Sequence, residues 1–299
     1  SLEASGYDPK NLTPKGSIDF GGDPQDERKA WKHLWAAGHG VGATRRIQTV
    51  AEIAAEIGAE YEAAVSDGHA ADLKVIGEIP KDFGGLYVRN GPNPRYAPQD
   101  RHHWFDGDGM VHAVHIENGR ATYRNRYVRT ADFVEESAAG HQLYAGIMQP
   151  ANRHRPTKPF KDTANTDIVF HAGHLLAMWY VAGTPYKLHP ISLETMGPAD
   201  FGGKLPRNVS AHSKNDPHTG EFVFFDYSPM KPWLTYGVVG ADDQLSHFTE
   251  VEIPGPRLPH DMGMTENYSI LMDLPLFTTP EGRKSGKWQV GFYPELPAR

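Results

Sequence analysis

The sequence predicts an all-β fold in which short antiparallel hairpins form the blades of a propeller, on three observations. Its 31 Gly and 24 Pro fall between short apolar runs, a punctuation that suits strands and turns and disfavours an all-helical fold. From about residue 73 onward the hydrophobic period is two, the mark of strands with one buried and one exposed face. Five strand pairs then follow one another at uneven intervals of roughly 25 to 50 residues, a rhythm that suits blades better than a sandwich. The 299 residues suffice for one large β-domain as readily as for two average ones.

Residues 1 to about 46 are rich in Gly, Pro, Lys and Asp and show neither period, so they read as a lead-in that Trp31 and Trp35 could pin to the body. From Thr49 to Val65 the apolar residues Val50, Ile53, Ile57, Tyr61 and Val65 recur at helical steps. Thr49 and Glu52 stand at capping-box spacing, so one amphipathic helix is expected over 49–65. The first hairpin joins Met110–Ile116 to Ala121–Val128 through Asn118-Gly119, a dipeptide that favours tight primed turns. The second joins Asp167–Phe170 to Leu175–Val181, and the third joins Val209–Lys214 to Glu221–Tyr227. Leu234–Val239 pairs with Leu245–Val251 in the fourth, and Met262–Thr265 with Tyr268–Leu274 in the fifth. The chain thus divides into an N-terminal extension, 1–72, and a β-propeller domain, 73–299.

Composition excludes several function classes. A formal net charge of −7 with no Lys/Arg block lacks the basic footprint of a nucleic-acid binder, so no nucleic-acid partner is expected. With no cysteine there is no disulfide, thiolate ligand or cysteine nucleophile, and a metal would have to be held by His, Asp or Glu. No apolar run reaches the roughly 18 to 20 residues of a membrane-spanning helix. Arg45-Arg46 is followed by a segment with too many Glu for an export signal, so the expected location is cytoplasmic.

Sixteen histidines make the search for a metal site worthwhile. Two segments, Ser210-Ala211-His212-Ser213-Lys214 and Leu258-Pro259-His260-Asp261-Met262-Gly263, set a histidine beside small residues at the start of a predicted strand. Inner strands of a propeller converge on its axis, so histidines from successive blades can meet at one metal without any short ligand spacing. Spacing alone does not separate His212 and His260 from His112, His171, His174 or the others, since a single strand histidine is more often a hydrogen-bonded structural residue.

Resemblance does separate them. GEIPKDFGGLYVRNGPNPRY, then HWFDGDGMVHAVHI and RYVRT, resemble the amino-terminal signature of the carotenoid cleavage oxygenases. ANTDIVFHAGHLLAMW, PYKLHPISLETMG, SAHSKNDPHTGE and LPHDMGMTENY are similar to later segments of that family, in the same order. The likeness covers about residues 73 to 299 and leaves the extension with its helix largely outside.

The resemblance implies a seven-bladed β-propeller with a helical and loop cap, and an axial Fe(2+) held by four histidines. His212 and His260 fall in the segments that carry the first two ligands. The remaining iron ligands are expected beyond residue 299, which makes the propeller incomplete here, truncated at the C-terminus, and the isolated 299 residues inactive. In the family a glutamate that orients a ligand lies in a segment resembling LLALWE; here Tyr180 takes its place, able to accept a hydrogen bond but bringing no charge. Ser213 stands where proline is usual after the first ligand. Members that cleave hydroxylated stilbenes carry a lysine, aimed at the phenol oxygen, at the position of Trp179, a role that Trp is not expected to take.

A long apolar polyene is therefore the favoured substrate, with Phe105 as its leading wall and Trp179 and Tyr144 behind. The glycines of FDGDGM are expected to permit tight turns at the pocket mouth, and Asp106-Gly107-Asp108-Gly109 lacks the later ligands of a calcium loop. The implied chemistry is cleavage of a conjugated C=C bond of a carotenoid or apocarotenoid with O2 into two carbonyl products. It assigns no catalytic residue beyond the metal ligands. The rivals are cleavage of phenylpropanoid or stilbene alkenes, isomerisation or hydrolysis on the same fold, and a non-catalytic binding propeller. Oligomeric state and peripheral contact with a membrane stay open.

Overall fold

A computed structural model describes residues 49, 51–52, 66–71, 73–98, 101–147, 149, 160–180, 183–278 and 290–299. The chain separates into two units, Ser1–Ile57 and Gly58–Arg299. In the first unit the capping box is visible. The Thr49 amide donates to Glu52 Oε2 at 2.7 Å and the Glu52 amide to Thr49 Oγ1 at 3.3 Å. The rest of the predicted helix, with Trp31 and Trp35, lies outside the described residues.

The second unit is built from antiparallel sheets. The first holds β1 (Gly68–Ala70), β2 (Gly85–Asn93), β3 (Asp108–Glu117) and β4 (Arg120–Tyr127) in the order β1-β4-β3-β2. β3 and β4 close through Asn118 and Gly119, whose φ values of 51° and 77° are those of the two-residue turn that this dipeptide predicts. β2 tolerates Pro92 because it is an edge strand, where a missing N–H leaves no ladder bond unmade. Residues 68–70, ahead of position 73, supply the outer strand by pairing with β4.

The second sheet runs β5 (Asp167–His171), β6 (His174–Met178), β7 (Tyr186–Leu188) and β8 (Thr195–Pro198), and the third β9 (Lys214–Asn215), β10 (Phe222–Tyr227), β11 (Leu234–Val239) and β12 (Leu245–Glu250). Two strand pairs follow, β13 (Gly263–Met264) with β14 (Ser269–Ile270) and β15 (Leu276–Thr278) with β16 (Val290–Phe292). The third and fourth hairpins of the sequence reading therefore share one sheet and are not separate blades. Val209–Lys214 is also not a continuous strand: Val209 and Ser210 make isolated bridges, residues 211–212 turn, and pairing starts at Lys214.

What makes these sheets blades is that their middle strands are buried on both faces. All six residues of β10 are buried. Phe222 and Phe224 pack with Leu176, Met178, Phe201 and Val209 on the side of the second sheet. Val223, Phe225 and Tyr227 pack on the other side with Leu234 and Met262. β6 alternates in the same way, with Leu176 and Met178 toward the third sheet and Leu175 and Ala177 toward the first. A strand clamped between two neighbours reads as a continuous apolar run, and each such phenylalanine contributes about 1.5–3 kcal/mol by leaving water. One edge strand of each of the three sheets lies beside that of the next, β2 against β5 and β5 against β9. The Asn90 amide joins the first two by donating to the carbonyls of Ala164 at 2.8 Å and Asp167 at 3.2 Å.

Two features depart from the sequence reading. A helix, α1 (Ala131–Ala139), follows the first sheet, opened by Thr130, which accepts the Phe133 amide, and closed by Gly140 at φ 75°. It buries Asp132 and Glu136 along with Phe133, so its inward face has no apolar period to read. The glycines of FDGDGM serve close approach and not tight turning. A Cβ at Gly109 would lie 2.5 Å from the Ala164 carbonyl oxygen, and one at Gly107 would lie 2.7 Å from the Asn93 nitrogen.

Asp226 in β10 is buried against Arg207, whose Nε lies 3.1 Å from its carboxylate. Burial outweighs the guanidinium and pushes Asp226 up to about 6. Between the unfolded value near 4 and that of the fold, the native state holds a proton that the unfolded chain has released. Raising the pH through this window therefore removes stability. Urea unfolding from pH 4 to 7 should show the parent losing up to about 3 kcal/mol relative to Asp226→Asn; parallel pH profiles would contradict the assignment.

Candidate metal centre

His212 and His260 sit in turns, two residues ahead of β9 and three ahead of β13. Their imidazoles face one another with ring centroids 4.7 Å apart and planes at 48°. His212 is half-buried and His260 exposed. Both backbones are left-handed, at φ 66° and 59°, a region that histidine enters more readily than most residues but still at a cost of about 1–2 kcal/mol.

Polar contacts hold them there. The His212 amide donates to Asp167 Oδ2 at 2.8 Å, and its carbonyl accepts from Lys214 Nζ at 2.8 Å. Ser213 donates its hydroxyl to the Ser210 carbonyl at 2.8 Å, closing the turn that carries the ring. Around His260, the Asp261 amide donates to the Pro259 carbonyl at 2.6 Å and the Asp261 carboxylate accepts the Met262 amide at 2.7 Å.

Neither imidazole hydrogen-bonds to a protein group among the described residues, so both are free to act as ligands. Although the residue as a whole is exposed, partial desolvation of its ring and the facing His212 ring hold His260 below its usual value, with Asp261 opposing, so His260 is neutral at neutral pH, as a ligand must be. Two imidazoles on converging turns suit a nitrogen-preferring metal such as iron or zinc. Among the described residues no group of three or more His, Asp or Glu completes such a site.

Of the aromatic residues singled out in the sequence, Tyr180 packs against this pair and Phe105 packs behind Tyr180. Tyr180 meets His260 at 6.1 Å and Phe105 at 5.1 Å, both edge-on, and Trp104 stacks on Phe105 at 5.1 Å. Phe105, Tyr144 and Trp179 line one cavity of about 10 Å³ with Phe160, Lys161 and Thr163, which is room for a water and not for a polyene. The wall and the ligand turn are one backbone unit, since Ala211 donates to the Trp179 carbonyl at 3.0 Å and Ser210 Oγ to that of Tyr180 at 3.1 Å. Tyr227 also donates its hydroxyl to the Tyr180 carbonyl. Burial raises the Tyr180 phenol, so it stays protonated. The indole Nε1 of Trp179 is buried without a partner among the described residues. It is a hydrogen-bond donor.

Several residues of the site escaped the sequence reading. Lys161 is buried between Asp108 and Glu136, with its Nζ 2.5 Å from Glu136 Oε2. Burial pushes the Asp108 carboxyl up while Lys161 opposes. Glu136 also accepts the amides of Leu143 at 2.8 Å and Tyr144 at 3.1 Å, which sets the Tyr144 wall. Asp167, Lys214 and Asp261 were equally unmarked, because a residue that binds backbone has no motif of its own.

Comparison with known proteins follows the same residues. The family described as retinal pigment epithelial membrane protein (RPE65) matches residues 62–299. The carotenoid 9,10(9',10')-cleavage dioxygenase 1 of Phaseolus vulgaris is 36% identical over 229 residues, covering 70% of this chain and 42% of that protein. The isoeugenol monooxygenase of Pseudomonas nitroreducens is 37% identical over 209 residues, 68% of this chain and 44% of that one. The crystal structure of Pseudomonas brassicacearum lignostilbene dioxygenase superposes with a TM-score of 0.68 at 30% identity, covering 78% of this chain and 49% of the other. The chain spans less than half the length of these relatives.

Removing the buried cation leaves two carboxylates facing each other out of water. Lys161→Met should therefore cost about 3–5 kcal/mol, read from the midpoint of urea unfolding, whereas a change below about 1 kcal/mol would show that the triad does not stabilise this wall.

Proposed function

The chain belongs to the retinal pigment epithelial membrane protein (RPE65) family, and from that premise we propose that the protein it forms part of is an iron(II)-dependent oxygenase that cleaves a conjugated C=C bond of a carotenoid or apocarotenoid. The observation that carries this reading is the approach of the His212 and His260 imidazoles to 4.7 Å from turns on successive sheets. These two side chains would hold the iron, with the remaining ligands from the part of the relatives' length that this chain does not span. When bound, iron(II) supplies a position at which dioxygen is taken up and activated.

The protein's own residues supply position and dryness. Phe105, Tyr144 and Trp179 enclose a water-sized space and would have to move apart to seat an alkene between them, and Tyr180 packs against the His260 ring to limit its rotation. Overall, one C=C bond and one O2 become two C=O groups, so no side chain has to give up or take a proton. This agrees with a wall whose phenol is held protonated.

A second reading, oxygenation of a phenylpropanoid or stilbene alkene, is favoured by the buried, unpartnered Trp179 indole and by the likeness to an isoeugenol monooxygenase. No helix among the described residues is long and apolar enough to cross a bilayer.

The test is metal analysis of the intact protein together with dioxygen uptake on an apocarotenal, isoeugenol and resveratrol. Stoichiometric iron and equimolar O2 consumption with the apocarotenal are expected. Turnover without O2 uptake would point to isomerisation or hydrolysis, and neither metal nor turnover would point to a binding propeller. His212→Ala and His260→Ala should each weaken iron binding by more than the roughly 10–100-fold that outer contacts are worth.

A further inference from the structure

We propose that Lys214 is a positioning residue that sets the separation of the His212 and His260 imidazoles, by tying the backbone of the first to the turn that carries the second. The proposal rests on the reading that these two rings hold a metal. Lys214 opens β9, and its Nζ makes two contacts at once. It donates to the His212 carbonyl at 2.8 Å, two residues back in the turn that precedes its strand, and to Asp261 Oδ1 at 2.7 Å on the neighbouring turn. Asp261 Oδ1 also accepts the Met262 amide at 2.7 Å, so the far end of this strut is fixed to the backbone directly after His260. Asp167 holds the His212 amide from the opposite side. The order Asp167, His212, Lys214, Asp261 thus laces the first strands of the second and third sheets to the β13 turn, and each imidazole leaves a left-handed residue inside the lacing.

Exposure decides what this ion pair does. With side-chain exposures of 33% for Lys214 and 48% for Asp261, it is too open to water to matter much for global stability. Its effect is geometric. A lysine ammonium carries three donors on a flexible stem and can serve a carbonyl and a carboxylate together, which no neutral side chain of similar length does. Freed from it, each histidine can leave its costly φ and the imidazoles need not stay at one separation.

The experiment uses the intact protein stripped of metal and titrated anaerobically with Fe(II), and with Co(II) as a spectroscopic probe. Lys214→Met should weaken both metals about tenfold or more while the melting temperature of the metal-free protein stays within a few degrees of the parent. Asp261→Asn should act in the same direction, and the double variant should be no weaker than Lys214→Met alone. Should Lys214→Met not fold, Asp261→Asn and Lys214→Arg carry the same comparison, with Lys214→Arg the better binder of the two. Unchanged metal affinity in the lysine and aspartate variants, or losses that simply add, would overturn the strut. A parent that takes up no stoichiometric metal would overturn the metal reading first, an outcome visible before any variant is made.

Discussion

Three backbone hydrogen bonds between the flanks of the second and third sheets, and one within the third, underlie the geometry of the site. Gly183 and Val209 exchange a reciprocal pair at 3.3 and 3.0 Å, Ala211 donates to the Trp179 carbonyl at 3.0 Å, and Ser210 to that of Phe225 at 2.9 Å. These bonds are made by residues whose side chains are buried, so water cannot replace them at low cost. They set where the Trp179–Tyr180 wall stands relative to the turn of His212. Without them, the aromatic face and the imidazole would belong to two blades free to slide past each other.

Core packing makes that registration rigid. Because β6 and β10 send alternate residues to opposite neighbours, a displacement of one sheet disturbs two apolar layers. Close-packed interiors resist such movement, since every atom that shifts loses contacts on one side before gaining any on the other. The polar lacing at the histidine turns therefore acts on a frame that is already stiff, and small polar contacts can govern angles that they could not govern on a mobile loop.

The sequence disclosed the parts of this arrangement that depend on near neighbours. Asn118-Gly119 announces its turn because two residues in left-handed conformation need those side chains, and β10 announces itself because a strand covered on both faces must be apolar throughout. The pairing of His212 with His260 became legible through resemblance, since nothing in the 47 intervening positions of chain marks the two as partners. Helix α1 was hidden because it turns carboxylates inward, and those carboxylates make sense only when Lys161, 25 residues beyond Glu136, arrives to neutralise them. Backbone holders such as Asp167 were hidden for a further reason. A carboxylate that accepts one amide 45 residues away leaves no trace in the local pattern.

The tightness at Gly107 and Gly109 bears on how this protein can vary over generations. A methyl group at either position would collide with main-chain atoms, which cannot swing aside as a side chain would. Even alanine at Gly109 would force the strand that leads from Phe105 away from the segment that leads to Trp179, and at Gly107 away from the Pro92–Asn93 backbone, so inheritance has a one-letter alphabet there. The aspartates between and beside these glycines are held by partners instead, Asp108 by Lys161 and Asp106 by the amides of His103 and Ile147. Lineages that change substrate would thus be expected to rewrite Phe105, Tyr144 or Trp179 while the two glycines persist, a fixed spine under an editable surface.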